Sequence, residues 1–345
     1  MDLKEFLAEW HNDSPTMLVH TSGSTGKPKP MLVEKRRMEA SARMTCDFLG
    51  LSEGDTALLC MSLDYIAGKM MVVRSLVRGL RLVCVEPSGE PLKGLFRPLL
   101  ASPNLGEEKF RPLLASPNLR EEMSIDFAAM VPMQVWNTLQ VPEQRERLML
   151  IRQLIIGGGA IDDALAAELR AFPHAVWSTY GMTETLSHVA LRRLSGPEAT
   201  DWYTPMTGVS LSQTADGCLV VDAPAVHDGL LVTNDMVALA PDGRFRILGR
   251  KDNVICSGGL KIQAEEVERL LRPHLRVPYL ISKRPDPKFG EAVVLLTEGD
   301  AGEARRVCEE VLPKYWQPKH YVGVLQIPLT ETGKPARRGA AELAK

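Results

Sequence analysis

Short apolar runs alternate with stretches of helical spacing along the first half of the chain. "RLVCVEP" (81–87), "LMLIRQLIIGGG" (148–159) and "HAVWSTYG" (174–181) each close on glycine, proline or a polar turn, which predicts strands. Between the last two, "IDDALAAELRAF" (161–172) has helical spacing with acids in its first turn. This alternation predicts an α/β fold with a largely parallel sheet. From about Gly217 the pattern changes to antiparallel strands: "GCLVVDAP" (217–224) and "GLLVTNDMVALAPDGRFRILG" (229–249), the latter folded at "APDGR". After Gly249 the segments are shorter and mixed. "IQAEEVERLLR" (262–272) is an amphipathic helix with Val267, Leu270 and Leu271 on one face, closed by Pro273. "YLIS" and "EAVVLLT" are strands and "EARRVCEEVL" a helix. The expected organisation is a large α/β domain over 1–249 and a small α+β domain over 250–345, with the boundary near Arg250 to Asp252.

Composition narrows the function classes. The chain has 345 residues, 45% hydrophobic, enough for a sizeable core in about two domains. Its 41 basic and 43 acidic residues leave a net charge of -2, which argues against a nucleic-acid or membrane-surface partner. The six cysteines are scattered without a CxxC pair, so they read as reduced residues rather than a metal or disulfide frame. The longest apolar run, "KMMVVRSLVRGLRLVCV" (69–85), is broken by arginines, and "MDLKEFLAEW" is no signal peptide. A cytoplasmic setting without membrane insertion is expected. The decapeptide "FRPLLASPNL" occurs at 96–105 and again at 110–119; two copies are too few for a solenoid and read as a surface insertion.

"TSGSTGKPKP" (21–30) carries the first candidate chemistry. It is not a Walker loop: Gly23 and Gly26 are too close, and Pro28 stands where Ser or Thr should hold magnesium. Its content still suits a phosphate. Gly23 and Gly26 let backbone N–H groups approach an anion, Thr21, Ser22, Ser24 and Thr25 offer hydroxyls, and Lys27 and Lys29 add charge. A flexible Gly/Ser turn with solvated lysines is the alternative.

Four further stretches have their own candidates, each with a plain structural alternative. In "STYGMTET" (178–185) the strand should end at Tyr180 and turn at Gly181, at the carboxyl end of a parallel strand where α/β proteins place ligands. Tyr180 offers a flat ring, Thr183 a hydroxyl and Glu184 a hard carboxylate suited to magnesium; the alternative is a helix start capped by Thr183. Asp235, placed between two short strands, could accept both hydroxyls of a ribose or be an ordinary turn residue. Arg250 and Asp252 flank the boundary where a hinge would sit, and Ser257, Gly258 and Gly259 give a backbone without side-chain bulk, or simply a linker and loop. Lys334, in "PLTETGKPARR" (328–338), could reach a site and stabilise developing negative charge, or belong to a solvated basic tail.

These stretches, in this order, resemble the adenylate-forming superfamily of acyl-CoA synthetases, carrier-protein adenylation domains and luciferases. "TSGSTGKPK" resembles its phosphate loop, "YGMTET" its adenine and magnesium motif, "TND" its ribose-binding TGD with Asn234 for glycine, "GRKDNVI" its hinge and "TGK" its catalytic lysine motif. The resemblance implies ATP and Mg2+ as cofactors, an acyl-adenylate, and transfer to a thiol, most naturally that of coenzyme A. It also implies roles. Thr21 to Lys29 hold the outer phosphates, and Glu184 with Thr183 orients magnesium. Thr179, Tyr180, Gly181, Met182 and the loop Gly157, Gly158, Gly159, Ala160 border the adenine, while Asp235 and Arg250 hold the ribose. Lys334 serves adenylation; rotation about Asp252 then exchanges it for Ser257 to Leu260.

"SGGLKIQAEEVE" and "WQPKHY" are most similar to the o-succinylbenzoate–CoA ligases of menaquinone synthesis, though Cys256 stands where many relatives carry lysine. "MSLDYIAGKMMVVRSLVRGLRLV" is similar to their acid-pocket segment, with Tyr65 for histidine. The second carboxylate of that acid needs a cation, and Lys69 and Arg74 are candidates, about 140° apart on a helix so that one faces the pocket; a solvated face is the alternative. Ser187 and His188 could line the same pocket. Family members usually carry well over a hundred residues before the phosphate loop, so the first α/β subdomain is expected to be missing and a homodimer to cover the exposed face. Ligation of another acid, delivery to a carrier-protein thiol, and a non-catalytic nucleotide-binding scaffold are the competing readings.

Overall fold

The computed structural model describes residues 1–20, 30–93, 95, 124–329 and 335–344; both copies of the decapeptide lie outside them. The described chain forms two compact units: Met1–Leu211 with Val221–Leu231 and Pro241–Arg244, and Ser212–Val220 with Val232–Ala240 and Phe245–Lys345.

Up to Pro205 the elements are α1 (Leu3–His11), β1 (Thr16–His20), β2 (Pro30–Glu34), α2 (Lys35–Leu49), β3 (Thr56–Leu59), α3 (Ile66–Arg78), β4 (Arg81–Cys84), β5 (Phe127–Met130), α4 (Pro132–Leu139), α5 (Pro142–Met149), β6 (Gln153–Ile156), α6 (Asp163–Leu169), β7 (Ala175–Gly181), β8 (His188–Arg193) and β9 (Thr204–Pro205). Local chemistry sets their ends. Asp2 and Glu5 form a capping box on α1, Asp162 caps α6, and Gly50 and Gly79 close α2 and α3 in the left-handed conformation. The seven-stranded sheet runs β4-β3-β5-β6-β7-β8-β9, parallel from β4 to β7 and antiparallel beyond. This is the predicted parallel sheet. Its buried strands carry near-continuous apolar side chains, with Leu58, Ala128, Met130, Leu154, Ile156 and Val176 in one core cluster. The apolar run 148–156 divides: Leu148 packs from α5, and only Gln153–Ile156 is strand. The arginine-broken run from Lys69 falls in α3, whose residues Gly68 to Ser75 are all buried.

Four strands follow, β10 (Ser210–Gln213), β11 (Cys218–Asp222), β12 (Leu230–Leu239) and β13 (Phe245–Arg250), in that order in one sheet. The last elements are β14 (Val254–Ser257), β15 (Leu260–Gln263), α7 (Ala264–Leu271), β16 (Tyr279–Asp286), β17 (Gly290–Thr297), α8 (Ala301–Val311), β18 (His320–Gly323) and α9 (Arg337–Leu343). Strand alternation sorts their core into two faces. Ile281, Val293 and Leu295 meet Val267 and Leu271 of α7, whereas Leu280, Val294 and Leu296 meet Ala340 of α9. Among the described residues no helix is long and apolar enough to cross a membrane.

Candidate active site

Strands β6 and β7 are neighbours and parallel, so the loop at Gly157 to Ala160 and the segment Tyr180 to Glu184 emerge side by side at their carboxyl ends. Thr179 Oγ1 donates to the Ile156 carbonyl at 3.3 Å and ties the two ends together. Gly158 takes a positive φ of 77°. Gly181 has another reason to be glycine. A Cβ there would lie 2.2 Å from the Ser187 carbonyl oxygen, because β8 returns directly against it. It allows a close approach rather than the turn expected of it.

Thr183 is not a helix cap. It opens a single 3-10 turn, Thr183–Thr185, whose capping position is Met182 and which ends at Leu186 with φ 64° and ψ -33°. That conformation is uncommon for a branched side chain and is held by its surroundings. Buried Thr185, passed over in the sequence reading, holds this turn. Its hydroxyl accepts from the Met182 N–H at 3.1 Å and lies 2.8 Å from the Ser187 carbonyl. Its place at the end of "TET" was the available signal. Glu184 is left exposed, with no ion pair among the described residues. A lone hard carboxylate suits Mg2+, which takes most of its ligands from phosphates and water. Tyr180 is buried, its ring edge-on to Tyr203 at 6.0 Å.

Immediately beyond, a buried polar cluster joins α3, β8 and α2. Arg74 Nη2 lies 2.7 Å from Ser187 Oγ, which lies 3.2 Å from His188 Nδ1; His188 Nε2 lies 3.0 Å from Thr45 Oγ1, which lies 3.0 Å from the Ser41 carbonyl. One set of directions runs through the whole cluster: Arg74 donates to Ser187, Ser187 to His188 Nδ1, His188 Nε2–H to Thr45, and Thr45 to the carbonyl. In that arrangement the imidazole is neutral. Burial, with the nearby Arg74 charge adding to it, holds its pKa well below 6.5. Arg74 is 2% exposed, its Nε has no partner, and no carboxylate among the described residues pairs with it. Burial pushes its pKa down to about 10. Lys69 is 3% exposed, so neither cation lies on a solvated face. The two point apart, as the helical angle predicts. Lys69 Nζ donates to the Leu18 carbonyl at 3.2 Å, beneath β1, away from Ser187.

The second unit carries the other candidates. Asp235 lies inside the ten-residue strand β12 rather than between two short strands. It pairs in register with Arg250, and Arg250 Nη1 is 3.4 Å from its Oδ1. Asn234 Nδ2 faces Asp252 Oδ2 at 3.4 Å. Gly258 and Gly259 form the two-residue turn of the β14–β15 hairpin, with φ of 58° and 84°, and Ser257 pairs with Leu260 across it. Half-buried Phe289 covers this turn: its carbonyl accepts from the Gly258 N–H at 2.8 Å, and a Cβ on Gly258 would lie 3.3 Å from its ring. Lys288 and Lys319 hold their ammonium groups 5.3 and 5.6 Å from the ring centroid. An aromatic ring near two cations and beside a bare backbone suits a phosphorylated base. Sequence reasoning missed Phe289; the turn-forming "PDPKFG" around it was the available signal. Thr21 to Lys29 and Lys334 lie outside the described residues.

The family model for AMP-binding enzymes matches residues 4–225. Curated relatives include the 2-succinylbenzoate–CoA ligases of Bacillus mycoides (strain KBAB4), 24% identical over 98% of this chain and 72% of that protein, and Bacillus subtilis (strain 168), 26% identical over 99% and 71%. Among solved structures, the acyl-CoA synthetase (AMP-forming)/AMP-acid ligase II-like protein of Dyadobacter fermentans DSM 18053 superposes with a TM-score of 0.63 at 30% identity, over 99% of this chain and 93% of its own. The Bacillus subtilis o-succinylbenzoate coenzyme A synthetase, solved with ATP and magnesium ion, shares the fold with a TM-score of 0.68 at 24% identity over 93% of this chain and 68% of that one. The chain belongs to the AMP-binding enzymes, ligases that use ATP to activate carboxylic acids.

Proposed function

We propose that this chain is an o-succinylbenzoate–CoA ligase, forming the acyl-adenylate of that acid and passing the acyl group to coenzyme A for menaquinone synthesis. The observation that carries the choice of acid is Arg74, a buried guanidinium without a carboxylate partner among the described residues, one hydrogen bond from Ser187. Such a cation is costly unless an anion reaches it. An acid with a second carboxylate supplies that anion while the first one reacts. The names of the curated relatives support the same acid.

The remaining roles follow from the chemistry. Thr21 to Lys29 hold the outer phosphates. Magnesium, when bound, would neutralise phosphate charge, and Glu184, beside Thr183, is the carboxylate assigned to hold it; its exposure supports that role. The attacking carboxylate displaces pyrophosphate from the α-phosphorus, and Lys334 stabilises the charge that builds there. Asp235, steadied by Arg250, accepts the ribose hydroxyls. Asp252 is the hinge between the domains 1–249 and 250–345, and Ser257 to Gly259 serve the thioester step. A cytoplasmic homodimer completes the proposal; exposed Leu18 and Leu32, paired on the open face of the β1–β2 hairpin, support self-association, and a monomer in solution scattering would count against it. ATP–pyrophosphate exchange across a panel of acids tests the main reading. Exchange with o-succinylbenzoate is expected. Exchange with benzoates or fatty acids alone overturns the substrate, and none with any acid overturns the activity.

A further inference from the structure

Thr45, fully buried on α2, closes the run of hydrogen bonds that begins at Arg74. Its hydroxyl turns back on its own helix and donates to the Ser41 carbonyl at 3.0 Å, one turn earlier. A carbonyl oxygen can only accept, so the single hydroxyl hydrogen of Thr45 is committed there. Toward His188 Nε2, 3.0 Å away, Thr45 can then only accept, and Nε2 must carry a proton. Burial favours the neutral ring, with the Arg74 charge adding to it. With one proton on the ring, Nδ1 is a bare acceptor, and Ser187, 3.2 Å away, must donate to it. What Ser187 presents to Arg74 Nη2, at 2.7 Å, is its lone pairs. The polarity of the whole run, from α2 through the start of β8 to α3, is thus set at its far end by one backbone carbonyl.

That polarity matters to a desolvated guanidinium. A serine hydroxyl free to turn could aim its hydrogen at an arriving carboxylate and release Arg74. Here the hydrogen is held on the imidazole, so Arg74 stays tethered through Nη2, while its buried Nε has no partner. A cation oriented before its anion arrives binds at lower ordering cost. Both ring nitrogens of His188 are spent within the cluster, so His188 acts through Ser187 rather than on the acid itself.

We propose that Thr45 and His188 are positioning residues for Arg74: together they hold the Ser187 hydroxyl as an acceptor, and so fix the guanidinium that receives the second carboxylate of the acid. The inference rests on the reading of Arg74 as that receiver.

The test joins a spectroscopic and a kinetic measurement on the full chain. Nitrogen NMR of isotope-labelled histidine side chains, with His188 assigned by its loss in His188→Gln, should show the Nε2–H tautomer in the wild type. Thr45→Val keeps the shape and removes the acceptor of that proton. The ring is expected to shift toward the Nδ1–H tautomer, and Thr45→Ser to restore the first. In ATP–pyrophosphate exchange, Thr45→Val is expected to raise KM for o-succinylbenzoate by about 10-fold, with KM for ATP moving less than about 3-fold, and Thr45→Ser to recover the wild-type value. In the Arg74→Met background Thr45→Val should add nothing, because it acts through that arginine. An Nδ1–H tautomer in the wild type overturns the inference without any variant, so it can be refuted even if Thr45→Val does not fold. The same further loss in the Arg74→Met background, or an unchanged KM for the acid in Thr45→Val, overturns it and leaves Arg74 standing. An unchanged KM for the acid in Arg74→Met alone overturns the reading of Arg74 and the inference with it.

Discussion

Arg74 on α3 donates to the Ser187 hydroxyl at 2.7 Å across the start of β8, and no carboxylate among the described residues answers its charge. An unpaired buried guanidinium is unfavourable in the free protein and valuable once an anion arrives. Arg74→Met, close in length but apolar, is therefore expected to stabilise the free protein by about 1–2 kcal/mol while raising KM for o-succinylbenzoate by about 100-fold. Thermal melts and exchange kinetics check the two halves. If benzoate and o-succinylbenzoate lose activity alike, Arg74 does not read the second carboxylate.

His188 makes this cluster sensitive to acid. Burial and the Arg74 charge depress its folded pKa below the ordinary 6.5, so the unfolded chain takes up the proton first. Its contribution to stability is full above about pH 6.5 and is lost as pH falls from there toward the folded pKa, at up to about 1.4 kcal/mol per pH unit. Melting temperatures of the wild type and His188→Gln between pH 5 and 8 should diverge on the acid side, with the wild type falling more steeply. Parallel curves over that range would show that His188 does not titrate this way.

How legible these features are in the chain depends on how local their causes are. The β7 strand could be read directly, since its apolar run and its end at Gly181 are set by residues within the segment itself. Lys69 and Arg74 could be placed on one helix but not ranked. Both are buried, and only the packing of β1 and Ser187 shows that one is spent on a backbone carbonyl while the other is not. Asp235 was misplaced because "TND" looks like a turn in isolation; cross-strand pairing with β13 carries the strand through it, past a bulge at Met236 and Val237. Phe289 lies 31 residues from Gly258 in sequence and meets it through strand pairing alone, a relation no short motif encodes.

Phe289 offers a separate handle on the second half-reaction. Its ring lies near the ammonium groups of Lys288 and Lys319 and against the Gly258 turn, a combination that would suit the base and phosphates of coenzyme A. Stacking on an aromatic ring is worth about 1–3 kcal/mol per base. Phe289→Ala should raise KM for coenzyme A by about 10-fold or more in thioester formation from preformed adenylate, and leave ATP–pyrophosphate exchange unchanged. Loss in exchange instead would place the ring's role in folding of the second unit.

Gly181 tests whether the proposed magnesium site at Glu184 depends on the return of β8. A methyl group there would lie 2.2 Å from the Ser187 carbonyl oxygen and 2.4 Å from His188 Cα, both backbone atoms that cannot swing aside. Gly181→Ala must therefore push β8 away from β7, at a cost of about 1–3 kcal/mol. The displacement falls where Thr185 bridges to the Ser187 carbonyl and where Ser187 meets Arg74, so it should disturb Glu184 and the proposed acid site together. Adenylation is expected to fall with weakened magnesium dependence and raised KM for the acid, alongside a lower melting temperature. Gly158→Ala, on the adjoining loop, is the control. Its Cβ meets only a Val131 methyl at 3.4 Å, and its strain comes from a positive φ of 77° in an exposed loop. It should lower stability with KM for the acid unchanged. If both variants raise that KM equally, the coupling through the β7–β8 contact is not what holds the pocket.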